Sequence, residues 1–121
     1  MVLVTCNQSR QLMYVSFIGD VRPEEFPAVR QEMSTELKGL SAGFRYLADF
    51  SRVLSMGPEC APEMGRTMEL IARSGVELVV RVIPDPSKDI GMNILTIFHY
   101  PHKLKVITCQ TLTEAFQALG L

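Results

Sequence analysis

The stretch FRYLADFSRVLSMGPECAPEMGRTMELIARS, Phe44 to Ser74, decides how this chain folds. Its first part, Phe44 to Phe50, is aromatic and apolar, with Gly43 ahead of it and Asp49 and Ser51 where it opens into polar residues, the pattern of a strand running into a loop. Pro58 and Pro62 are placed to begin a helix, and Met64, Met68, Ile71 and Ala72 then share one helical face. Gly75 closes it as a C-terminal cap. The unit is strand, loop, helix, and the rest of the chain is read outward from it.

Upstream, Val2 to Cys6 and Leu12 to Ile18 are β-branched and aromatic, and Asn7 to Arg10 between them is short enough for a hairpin turn. An antiparallel pair is expected there. Pro23, Glu24 and Glu25 start a helix whose Phe26, Val29, Met33, Leu37 and Leu40 recur at steps of three and four, with Pro27 making the first turn irregular. Downstream, Val76 to Ile83 is apolar except for Glu77 and Arg81, the pattern of a strand covered on both faces and expected in the middle of the sheet. Pro84 to Pro86 ends that strand, Asp85 ahead of Pro86 caps a third helix, and Ile90, Ile94, Ile97 and Phe98 form its expected stripe. Leu104 to Cys109 is a last strand. Thr111 and Glu114 form a capping box for a final helix that buries Leu112, Ala115, Phe116 and Leu119. This order predicts one α/β domain over residues 1–121, with a mixed, mostly parallel sheet, one antiparallel edge strand and about four helices.

Composition narrows the function classes. Twelve basic and thirteen acidic side chains give a formal charge of -1, which supplies no general attraction to nucleic acid or to an anionic membrane, although a local patch stays open. The apolar runs Val76 to Val80 and Ile90 to Phe98 fall far short of the roughly 18 residues of a membrane span. The apolar N-terminus lacks the basic start and the length of a signal peptide. Three cysteines without a Cys-x-x-Cys spacing argue for a reducing, cytoplasmic setting and against a disulfide framework.

Gly19-Asp20-Val21 after the second strand and Asp49-Phe50-Ser51 ending the third resemble the STAS family, whose type member is the SpoIIAA anti-sigma-factor antagonist. Gly43-Phe44-Arg45, Val80-Arg81-Val82, Pro84-Asp85-Pro86 and Phe98-His99-Tyr100 look like its SpoIIAA-like, STAS/SEC14-like branch of uncharacterised bacterial proteins. The resemblance implies a SpoIIAA-like fold and a non-catalytic regulatory or protein-interaction module. In the family's antagonists, an Asp-Ser pair a few residues beyond the triplet carries the phosphorylated serine. Counting on from Ser51, those places fall on Gly57 and Pro58, so the resemblance implies a switch region without its usual phosphoacceptor.

The residues that would carry function cluster near the same unit. Asp49, Ser51, Ser55, Met56, Gly57, Cys60, Met64 and Arg81 are the candidates for a ligand or partner site. Arg81 inside an apolar strand needs a partner, and Asp49 on the neighbouring strand is the expected one, as an ion pair or, with Ser51, as part of a site beyond the strand ends. Cys60 stands at a helix start, where a thiol pKa can fall, whereas Cys6 and Cys109 read as small core residues. His99 and His102, with Asp85 or Asp89, have a spacing that metal sites sometimes use, but capping roles explain them as well, and neither a metal nor a cofactor is expected. The leading function is a module that binds a protein partner or itself, as a homodimer, through Ser51 to Pro62. The alternative is a carrier of a small apolar or lipid-like ligand, in the manner of the CRAL-TRIO fold, with Met56, Met64, Met92 and Phe98 lining its pocket. The third is an enzyme using Cys60 or His99.

Overall fold

The computed structural model describes residues 1–121, except the side chains of Asp89 and Ile90. Its elements are β1 (Val2–Asn7), β2 (Leu12–Val21), α1 (Phe26–Leu37), β3 (Arg45–Met56), α2 (Ala61–Arg73), β4 (Leu78–Val82), α3 (Asp89–His99), β5 (Lys105–Cys109) and α4 (Leu112–Ala118). Single 3-10 turns at Pro23–Glu25, Pro58–Cys60 and Pro86–Lys88 precede α1, α2 and α3. Each begins at a proline, whose fixed φ suits a first turn and whose missing N–H costs nothing there.

The sheet runs β1-β2-β3-β4-β5, with β1 antiparallel to β2 and the remaining neighbours parallel. The expected mixed sheet with one antiparallel edge is what forms. Its middle strand, however, is β3; β4 is interior but stands one place from the β5 edge. Side chains alternate between two layers, as the two-residue period of a strand requires. Tyr46, Ala48 and Phe50 of β3 with Val79 and Ile83 pack against Phe26, Val29 and Met33 of α1, Met64, Met68 and Ile71 of α2, and Met92 of α3. Leu47, Val80 and Val82 face the other way and pack with Cys109, Ala115 and Leu119 under α4. The capping pair closes as expected, Thr111 Oγ1 accepting the Glu114 N–H at 3.2 Å, while Phe116 stays partly exposed.

Two departures from the sequence reading shape the site. First, Ser51 to Met56 is not loop: β3 continues to Met56, paired with Ile18 to Val21 of β2. The register slips between Ser16 and Ile18 and again between Gly19 and Asp20, each time with an extra residue on β3. Such bulges bend a strand. Gly19 meets the second slip at φ +70°, which a glycine adopts without strain. Phe17 and Phe50 stack beside the first, ring centroids 4.5 Å apart.

Second, α3 is turned over relative to its expected stripe. Met92 is buried and Leu95 partly so, whereas Ile94, Ile97 and Phe98 are 51%, 64% and 77% exposed. The cause lies beneath the helix. The buried Arg81 guanidinium donates to Thr96 Oγ1 at 2.7 Å and to Asn93 Oδ1 at 2.6 Å, so the polar residues of α3 must face the sheet. Ile90, the first residue of the expected stripe, lies outside the described side chains.

Candidate functional site

Where β3 bends outward and β4 ends, a half-open pocket of about 720 Å³ is left between the layers. The extended strand supplies Ser51, Val53, Ser55 and Met56; the turn into α2 supplies Gly57, Pro58 and Cys60; α2 supplies Ala61 and Met64. The opposite wall comes from Ile83 to Asp85, Ser87, Lys88 and the first turns of α3, Gly91, Met92, Ile94 and Leu95, with Phe50 also in the lining. Its size falls within the range of small-molecule sites, ~300–1,000 Å³, and it opens beyond the carboxyl ends of parallel strands, where open α/β sheets bind ligands. The lining is mostly apolar, and three of its side chains are methionines, which adapt to irregular apolar shapes.

The structure thus gathers Ser51, Ser55, Met56, Gly57, Cys60 and Met64, with Met92, around one space. It does not bring Asp49 or Arg81 to it. Ala48, not Asp49, stands opposite Arg81 in the β3–β4 register, so the two charges project from opposite faces of the sheet and the expected ion pair does not form. Asp49 is buried on the α4 side, where it accepts the Tyr14 hydroxyl at 3.1 Å and the Ser51 N–H at 2.9 Å, fastening the first bulge. Burial, with the Asp49 charge adding to it, holds the Tyr14 hydroxyl above its ordinary pKa. Arg81 belongs to the support beneath α3, donating from Nε to Thr108 on β5 at 3.1 Å as well as to the helix.

Three polar side chains of the lining, Ser55, Asp85 and Ser87, have local partners. Ser55 donates to Asp20 at 2.6 Å, tying the end of β3 to β2. Asp85 accepts the N–H and hydroxyl of Ser87 at 3.0 and 2.8 Å, capping the 3-10 turn, and the Ser87 hydroxyl first and its N–H second hold that carboxyl below its usual range. Phe50, Val53, Ile83, Leu95 and Lys88 were not singled out from sequence. Phe50 and Ile83 directly follow Asp49 and Val82, the last paired residues of the parallel β3–β4 ladder, and that place is the signal that marks them.

Cys60 is not an activated nucleophile. It is buried, its thiol lies 3.6 Å from the Val21 carbonyl, and burial first, then the charges of Glu59, Glu24, Glu25 and Glu63, push its pKa up rather than down. His99 does not line the pocket; its Nδ1 pairs with Glu69 at 2.5 Å, and its ring lies over Gly65 of α2. His102 faces a separate, smaller cleft beside Arg81. Asp89 lies outside the described side chains, and among the described residues no group of three His, Cys, Asp or Glu is placed to hold a metal. Phe98, expected in the pocket, points away from it into solvent.

The strand order, the single antiparallel edge and the helical layers are those of the SpoIIAA-like fold, the fold of STAS domains. Two crystal structures share it over nearly the whole chain. An uncharacterised protein of the DUF3478 family with a SpoIIAA-like fold, from Shewanella loihica PV-4, superposes with a TM-score of 0.74 at 10% identity, covering 98% of this chain and 93% of that one. An anti-sigma factor antagonist from Mycobacterium paratuberculosis superposes with a TM-score of 0.60 at 18% identity, covering 100% of this chain and 96% of that one. No protein-family model and no curated protein matches the sequence. No helix among the described residues is long and apolar enough to cross a membrane.

Proposed function

We propose that this chain is a non-catalytic STAS-type binding module whose pocket between β3, α2 and α3 takes a small apolar ligand. The observation that carries the reading is the pocket itself: about 720 Å³, walled by Phe50, Val53, Met56, Met64, Ile83, Met92 and Leu95. An apolar surface of this extent is maintained against the gain from closing it, of roughly 25 cal/mol per Å², when it serves binding. Ser51, Ser55, Ser87 and Lys88 at its edge would orient a ligand with one polar end. Cys60 raised in pKa and His99 paired outside the pocket supply no nucleophile or base there.

The test is a titration with Nile red, an apolar dye that brightens on leaving water. Saturable one-to-one binding is expected, and Ala61→Phe, which places a ring in the lining, should abolish it while circular dichroism stays unchanged. Binding that does not saturate, or that Ala61→Phe leaves intact, would sink the reading.

A second reading is a protein-interaction module, favoured by the likeness to a structure described as an anti-sigma factor antagonist. Its contact would lie on the same side of the molecule, across Ser51 to Pro62, with a partner or a second copy of the chain. In this reading the contact works without the family's serine switch, whose places the resemblance puts at Gly57 and Pro58.

A further inference from the structure

We propose that the outer face of α3 docks on a lipid bilayer, with the pocket mouth at the edge of the contact. The proposal rests on the pocket reading for its cargo but not for the docking itself. Ile94, Ile97 and Phe98, spaced at i, i+3 and i+4, form one stripe on the solvent side of α3, at 51%, 64% and 77% exposure. The other large exposed apolar residues, among them Met1, Leu54 and Phe116, are not arranged in such a stripe among the described residues. A helix whose apolar residues point out after its core-facing side is satisfied has something else to cover them.

Three features of the stripe choose the occupant. Ile94 belongs both to the stripe and to the pocket lining, so the apolar surface runs unbroken from the helix face into the pocket. From Gly91 to Phe98 the helix has no ionisable residue, so seating this face in the interface desolvates no charge within that run. Exposed Lys88 lies ahead of the run and Lys103 beyond it, where ammonium groups meet lipid headgroups. The acids close by are Asp85, held by Ser87, and Glu69, paired with His99, besides Asp89 at the first residue of the helix. By contrast, three side chains fall well short of the roughly 20–30 residues a side that a stable protein interface uses, whereas a monotopic contact needs only a few side chains sunk ~5–10 Å into the boundary.

The experiment is co-sedimentation of the full chain with phosphatidylcholine vesicles and with phosphatidylcholine vesicles containing phosphatidylglycerol. The wild type should sediment with both, more strongly with the anionic ones. Ile97→Ser combined with Phe98→Ser should lower the bound fraction by at least about tenfold, the effect of removing two large apolar side chains from an interfacial contact. Both residues are exposed, so an unchanged melting temperature will show that the fold is intact. Ala61→Phe, which fills the pocket, should still sediment; that result supports docking even if Nile red fails to bind and the pocket reading falls. No sedimentation of the wild type, or sedimentation that the double variant leaves unchanged, overturns the proposal. So does a wild-type dimer that the double variant turns into a monomer without vesicle binding, because the stripe would then be a contact between copies.

Discussion

Helices α2 and α3 wall the same pocket, and each carries an apolar stripe at helical spacing, yet they use those stripes in opposite ways. Met64, Met68 and Ile71 of α2 are buried, with Thr67 beside them, and the charged Arg66, Glu69 and Arg73 face out. In α3 the polar Asn93 and Thr96 turn inward to meet Arg81, and Ile94, Ile97 and Phe98 are left in solvent. Periodicity identifies a helix, but the buried partner beneath it decides which face goes down. One arginine in β4 is enough to turn a core stripe into a surface.

The sharpest way to break this contrast is to truncate one isoleucine from each helix. Ile71→Ala should cost ~2–5 kcal/mol in urea unfolding, the loss of a fully buried side chain plus the cavity it leaves. Ile97→Ala, the same chemical change on the other stripe, should stay within ~0.5 kcal/mol. Equal costs would mean that α3 packs its stripe after all.

A smaller effect reports where the two helices touch. A Cβ at residue 65 would stand 2.5 Å from Nε2 of His99, so Gly65→Ala must displace the imidazole from its place beside Glu69. Alanine gains ~1 kcal/mol of helix propensity over glycine, and the displaced ring takes most of that back, so the single variant should come out near neutral. In a His99→Ala background the same change should stabilise by ~1 kcal/mol. A double-mutant cycle with no coupling would show that the ring does not lie over Gly65.

Most of the fold was legible because its signals are local. The prolines at 23, 58 and 86, the glycine at 75 with φ +91°, and the Thr111–Glu114 pair each mark a helix end by their own chemistry. What stayed hidden was non-local. Ser51 to Met56 read as loop residues, and only the pairing with Ile18 to Val21 on β2, through two bulges, makes them strand. Adjacency of strands pairs Asp49 with Arg81, but one residue of register puts the two on opposite faces. The space beyond the parallel strand ends depends less on register, and Met56, Met64 and Met92 line it, whereas Phe98 does not. Cys60 shows the limit of local reading: a helix start favours a thiolate, but burial in the core, with the charges of four glutamates adding to it, outweighs that.

The central claim is that the pocket between α2 and α3 holds an apolar molecule, and native mass spectrometry of protein purified without detergent tests it most directly. The account predicts a population heavier than the bare chain by the mass of one small apolar molecule, extractable into organic solvent and missing from the Ala61→Phe variant. A wild-type protein found only at the mass of the bare chain, which also takes up no Nile red, would contradict it.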